Sequence, residues 1–230
     1  MLLVSFGARD TGRFTARVAT LMMSAMAYAV SVDVDPRLTN RNRLTTAFRL
    51  ILAIPHLILV GGLGFGAAYR GASTSSEAGL LGAVALVLAI ISWFTIVITG
   101  THVIGIRQFT TFYLRWRVRA IAYLFLLQDQ YPPFGDDAYP ASCTVTDPAG
   151  PRDRLGVGLR LLLAIPHFVV LFFLVCAWWI TTIVAWFAIV LTGSYPSGLY
   201  DFGFGLLRWL IRVEAYALLL VDDYPPFSFR

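Results

Sequence analysis

The chain has 230 residues, 58% of them hydrophobic and 13% charged, with a mean hydropathy of +0.72. An average soluble domain carries about twice that charged fraction, so the composition excludes an ordinary soluble domain and indicates a membrane protein. Every one of the 18 basic residues is arginine and the net charge is +5. No basic run interleaves with aromatics, which points to anionic lipid at a membrane surface and away from nucleic acid.

Residues 1–25 come first in chain order. Arg9, Arg13 and Arg17 precede an apolar run from Val18 and small residues at Ala27 and Ala29, a signal-like pattern. Because the repeat described below begins at Tyr28, Met26 is read as the start of the folded protein and residues 1–25 as an upstream extension or signal-like segment. The alternation in "YAVSVDVD" then predicts a short strand outside the membrane.

Two uncharged stretches follow, Leu50–Tyr69 and Leu80–Gly100, each near the ~20 apolar residues of a membrane span. The glycine- and serine-rich run between them reads as the loop of a helical hairpin. Phe109–Leu127 is less apolar, and Arg115 and Arg119 lie one helical turn apart on one face beside Trp116. A central arginine costs at least ~2.5 kcal/mol to insert, so this helix is expected to lie in the interface. The proline pair of Tyr131–Phe134 (YPPF) ends it.

The second half repeats this order. "YPASCTVTD" predicts a second strand, free to pair with the first. Leu161–Tyr200 lacks Asp, Glu, Lys and Arg and is long enough for two crossings with a tight turn, placed near Cys176–Thr182. Phe202–Val221 carries Arg208 and Arg212 as Phe109–Leu127 carries Arg115 and Arg119, and Tyr224–Phe227 repeats YPPF.

The parallel is a tandem duplication. Tyr28–His56 aligns on Tyr139–His167 without a gap, pairing Arg43 with Arg154, Arg49 with Arg160 and His56 with His167. Further on, Trp93 matches Trp186, Gly100 matches Gly193, Trp116 matches Trp209 and Asp129 matches Asp222. The offset falls from 111 to 93, so the first half carries 18 extra residues around its glycine-rich loop. The expected fold is an all-α membrane protein with repeat 1 over 26–134 and repeat 2 over 135–230. Each half is a transmembrane helical hairpin plus an interfacial amphipathic helix, with short β-like segments outside the membrane. Four crossings with arginine gathered on one side place the termini in the cytoplasm, and three per half would invert the repeats.

Arg49 and His56 share a helix face seven positions apart, as do Arg160 and His167. One reading has the histidines satisfying carbonyls freed by Pro55 and Pro166 while the arginines snorkel to headgroups. The other brings Arg49, His56, Arg160 and His167 together on a pseudo-twofold axis as a cationic pocket for a lipid phosphate. With Arg115, Arg119, Arg208 and Arg212 these are the candidate headgroup contacts. No Walker A lysine, HExxH or nucleophile elbow occurs, the Gly203–Gly205 "GFG" lacks the rest of a dinucleotide fingerprint, and no cofactor, metal site or disulfide framework is expected.

The residues "NRLTTAFRLILAIPH", "WFTIVITG" and "RWRVRAIAYLFLLQDQYPPF", with their copies "RLLLAIPH", "WFAIVLTG" and "RWLIRVEAYALLLVDDYPPF", resemble the bacterial membrane family known as domain of unknown function 4389. The resemblance spans nearly all of Met26–Phe227 in two copies, and implies an integral membrane protein of actinobacterial type with no assigned activity. The leading expectation is a multi-pass protein of the bacterial cytoplasmic membrane, a non-enzymatic accessory or scaffold that binds anionic phospholipid or a membrane partner protein. A small transporter or channel built on the repeat is the alternative. A lipid-modifying enzyme, for which His56, His167 and Asp201 are the candidates, stands third.

Overall fold

Val30, Val32 and Val34 alternate with Ser31 and Asp33, and this period of two forms strand β1 (Val30–Val34) with its valines inward. Strand β2 (Ala141–Val145) pairs with it antiparallel, Val32 opposite Cys143. The computed structural model describes residues 28–62, 75–148, 150 and 152–230; the segment before Tyr28 and most of the glycine-rich loop lie outside the described residues. The chain is mostly helical, with helices α1 (Arg43–Ala47), α2 (Arg49–Val60), α3 (Ser75–Thr99), α4 (Ile104–Leu124), α5 (Arg154–Gly158), α6 (Arg160–Thr192) and α7 (Ser197–Ala217).

The expected second-half hairpin is absent. Helix α6 runs unbroken for 33 residues through Cys176–Thr182, where a turn was expected. Hydropathy gives the length of an apolar run but not a turn within it, and this run has no glycine before Gly193 to make one. One face of α6 is buried throughout: Arg160, Ala164, His167, Leu171, Trp178, Thr182, Ala185 and Ile189.

The first half builds the same face from two pieces. Arg49, Ala53, His56 and Val60 on α2 and Ala85, Ala89, Ser92 and Ile96 on α3 are buried, each the counterpart of a buried position on α6. Val60 corresponds to Leu171 and Gly79 to Phe172, which are neighbours in α6. In space the two ends also meet. A Cβ on Gly79 would run into the Gly61 amide nitrogen and the Leu59 carbonyl, and both glycines have positive φ, +68° at Gly79 and +73° at Gly61. Residues 61–78 are thus an insertion into one long helix, and α2 with α3 is the counterpart of α6. Among the described residues two helices, Gly79–Thr99 and Arg160–Thr192, are long and apolar enough to cross a membrane.

The halves exchange contacts. Helix α1 packs on α6 and α5 on α3, where Trp186 Nε1–H donates to the Thr46 carbonyl at 2.9 Å and Trp93 Nε1–H to the Val157 carbonyl at 3.0 Å. Strand β1 of the first half packs on α7 of the second, and β2 on α4. Helices α4 and α7 therefore form a middle layer between the sheet and the long helices. Twelve of the 21 residues of α4 are buried, so neither it nor α7 is the open interfacial helix that the sequence predicts. Their apolar faces carry the core, and their arginines are taken up by neighbouring chain.

Candidate functional site

Arg49, His56, Arg160 and His167 do not form one pocket. Arg49 and Arg160 are each only 1% exposed, and each is held by its own half. Arg49 donates to the Gln128 carbonyl at 2.8 Å and to Asp129 Oδ1 at 2.6 Å, with its guanidinium 4.1 Å from the centre of the Tyr123 ring. Arg160 donates to the Val221 carbonyl at 2.8 Å and to Asp222 Oδ1 at 2.7 Å, over Tyr216. A second arginine joins each carboxylate, Arg41 at 2.7 Å on Asp129 and Arg152 at 3.0 Å on Asp222. Leaving such a guanidinium unpaired in a dry interior is costly, so internal carboxylates take the place expected for a lipid phosphate.

The same arginines fasten a strained turn. Leu126 and Leu219, matched positions just past α4 and α7, both have φ of +64°, a left-handed conformation that costs a non-glycine residue about 1–2 kcal/mol. Arg41 donates to the Leu126 carbonyl and Arg152 to that of Leu219, each at 2.5 Å. Burial works against a charged Asp129, but Arg41, then Arg49 and the Asn42 amide, more than offset it and hold the carboxyl below its ordinary range.

The histidines are equally committed. Trp116 Nε1–H donates to His56 Nδ1 at 3.1 Å, and Trp209 Nε1–H to His167 Nδ1 at 3.1 Å. Phe134 stacks on the His56 ring at 4.5 Å and Phe227 on His167 at 3.9 Å. Each histidine thus pins a YPPF segment between its long helix and α4 or α7. It does not repair the carbonyl freed by the neighbouring proline, and an Nδ1 accepting an indole proton is not protonated itself.

The remaining candidates lie towards the sheet and the linker. Arg115 and Arg119 pair with Asp136 at 3.2 and 3.0 Å, and Arg119 also reaches the Gly135 carbonyl. Arg208 donates to the Val32 carbonyl at 3.1 Å, and Arg212 reaches the Arg230 carbonyl and the Tyr28 ring. The "GFG" glycines are there for packing: a Cβ on Gly203 would strike the Trp178 indole, and one on Gly205 would strike Phe229. Among the described residues no three His, Cys, Asp or Glu side chains cluster as metal ligands would.

Two sets of residues escape a reading of the sequence. Arg43 and Arg154, at the starts of α1 and α5, are exposed, have no carboxylate partner among the described residues, and sit beside Leu44 and Leu155, 69% and 74% exposed. Their exact match in the duplication is the signal that could have marked them. The other set is asymmetric. Arg117 donates to the Val60 carbonyl at 2.6 Å and the Gly62 carbonyl at 3.3 Å, and pairs with Glu214 at 2.7 Å, with Tyr113 nearby. Their counterparts are Leu210, Ile121 and Leu206. The insertion frees carbonyls at the end of α2 that unbroken α6 does not free, and Arg117 supplies the missing donors.

Fold and site define a duplicated helical protein with long apolar helices and arginines locked by internal carboxylates. A family model described as "Domain of unknown function (DUF4389)" matches residues 78–135 and 154–228, and the chain belongs to that family in two tandem copies. The first match begins at residue 78, the last residue of the insertion. No curated protein and no solved structure matches the chain.

Proposed function

We propose that the protein is a non-enzymatic membrane component, an accessory or scaffold that binds anionic phospholipid or a membrane partner in the bacterial cytoplasmic membrane. The observation that carries this reading is the repeated pair of exposed arginine and exposed leucine, Arg43 with Leu44 and Arg154 with Leu155. A guanidinium beside an apolar side chain suits the boundary of headgroup and acyl chain, where each basic group is worth about 1 kcal/mol near an anionic surface. Arg115, Arg208 and Arg212, half-exposed, lie on the sheet side and are not part of this surface; Arg49, Arg160, His56 and His167 serve it by holding the scaffold rigid.

The transporter alternative draws on the interrupted helix, since broken helices line many transport sites. Here the carbonyls at the end of α2 are already taken by Arg117, which leaves them closed to a cargo ion. The test is lipid retention by protein in nanodiscs of mixed phosphatidylglycerol and phosphatidylcholine. Arg43→Gln with Arg154→Gln should lower the retained phosphatidylglycerol several-fold while the fold persists. Unchanged retention would remove the basis for this reading.

A further inference from the structure

We infer that the two long helices lie in the plane of one leaflet, docked against the acyl chains of glycerophospholipids, with the sheet turned to water. This rests on the membrane reading above and replaces the multi-pass crossing expected from the sequence. The axis relating the halves passes between Val32 and Cys143. Because both strands bury the same face, it stands perpendicular to the sheet. The long helices run antiparallel: the start of the first half bonds to the end of α6 through Arg41 N–H to the Gly193 carbonyl and Tyr195 N–H to the Leu38 carbonyl. Antiparallel mates about a twofold axis lie across that axis and not along it. Were these helices to cross a bilayer, the sheet would sit at mid-depth on one flank, with the polar outer face of Ser31, Asp33, Ser142 and Thr144 in hydrocarbon. Each stranded polar group there costs several kcal/mol. Length argues the same way, since α6 is ~50 Å long, and even a 40° tilt leaves it spanning ~38 Å of a core about 30 Å thick.

Two clefts support a lipid occupant. Where the start of one long helix meets the far half of the other there is a cavity, about 290 Å³ beside Arg49, Trp179 and Thr182 and about 300 Å³ beside Arg160, Leu86 and Ala89. The linings are counterparts of one another in the duplication, are otherwise almost wholly apolar, and match the lower range of ligand sites. Arg49 Nε, Arg160 Nε and Thr182 Oγ1 are buried without a hydrogen-bond partner. An acyl chain in each cleft would cover this apolar wall, with the glycerol end of the lipid towards the end of the cleft that the arginine closes.

The decisive measurement is sidedness. Thr101, just past α3, and Ser197, just past α6, are exposed, and crossing helices would put them on opposite sides of the membrane. Thr101→Cys and Ser197→Cys, each with Cys176→Ser and the buried Cys143 kept, are labelled with a membrane-impermeant maleimide in sealed right-side-out and inverted vesicles. Both should label from the same side. Labelling from opposite sides, or of neither position until detergent is added, would overturn the in-plane placement while leaving the membrane reading intact; release of the protein by alkaline carbonate would instead remove the membrane reading and this inference with it. In native mass spectrometry from nanodiscs, Ala89→Phe with Thr182→Phe should remove two retained phospholipids. Their persistence, or free fatty acid in their place, would overturn the assigned occupant.

Discussion

Val32 faces Cys143 across the sheet, and each is the other's counterpart in the duplication, so the symmetry of the sequence is realised at a single residue pair. Directly opposed antiparallel residues have Cα atoms ~4.5–5.5 Å apart, within disulfide range. Val32→Cys is therefore expected to bond to Cys143. Burial pushes the Cys143 thiol up to about 12, and the thiolate is the reacting form, so oxidation needs alkaline pH or a metal catalyst. Closing a loop of more than a hundred residues should stabilise the fold by about 4–5 kcal/mol in the chain-entropy picture. Thiol titration of the unreduced, denatured protein checks the bond: one free thiol, that of Cys176, should remain after oxidation, and three would contradict this register.

Much of this was legible because a duplication states everything twice. The matched strands were expected outside the membrane and do pair, and the offset between the alignment blocks located the 18 extra residues. What the extra residues do was not legible. Glycine-rich sequence between two apolar runs reads as a hairpin loop, and only the meeting of Gly61 with Gly79 shows that one helix has been interrupted. The candidate arginines and histidines were found, but their partners were not. Asp129 lies 80 residues from Arg49 and Trp116 lies 60 from His56, and neither contact follows from helical spacing. Burial then decides what the residues do: an arginine already bonded to a carboxylate and a carbonyl is a strut.

The tryptophan–histidine bonds give a prediction of matched effects. Trp209→Phe keeps the ring packing against Phe227 but leaves His167 Nδ1 buried without a donor, at a cost of about 1–3 kcal/mol. Trp116→Phe should do the same to His56. Adding His167→Leu to Trp209→Phe removes the orphaned acceptor, so the double variant should lose less than the sum of the single ones. Unfolding midpoints in detergent for the four-member cycle measure this, and strictly additive losses would mean that the bond contributes nothing.

Asp129 neutralises two buried arginines, so Asp129→Asn should cost about 3–5 kcal/mol. Asp222→Asn should cost less, because the Asp222 side chain is 23% exposed against 6% for Asp129. The folded carboxyl of Asp129 is held below its unfolded value. Its contribution is therefore complete above about pH 4, the ordinary aspartate range, and fades as pH falls through the lowered folded value. Denaturant unfolding at a series of pH values should show an acid loss of stability in the parent that is reduced in Asp129→Asn.

The last prediction reverses the event that separates the two halves. Arg117 and Glu214 stand where the symmetric positions hold Leu210 and Ile121, and Arg117 is bonded to the carbonyls that the insertion frees. Arg117→Leu alone should strand Glu214 and those carbonyls, and cost about 3–5 kcal/mol, as expected when one partner of a buried pair is lost. Deleting residues 61–78 joins Val60 to Gly79. With Gly79→Phe at the junction the first half acquires the local sequence of unbroken α6, and its carbonyls find partners within the helix. In that background Arg117→Leu with Glu214→Ile should cost little or nothing. Thermal unfolding followed by circular dichroism would compare the pair of substitutions with and without the deletion. If the double substitution destabilises both forms equally, the ion pair serves something other than the break.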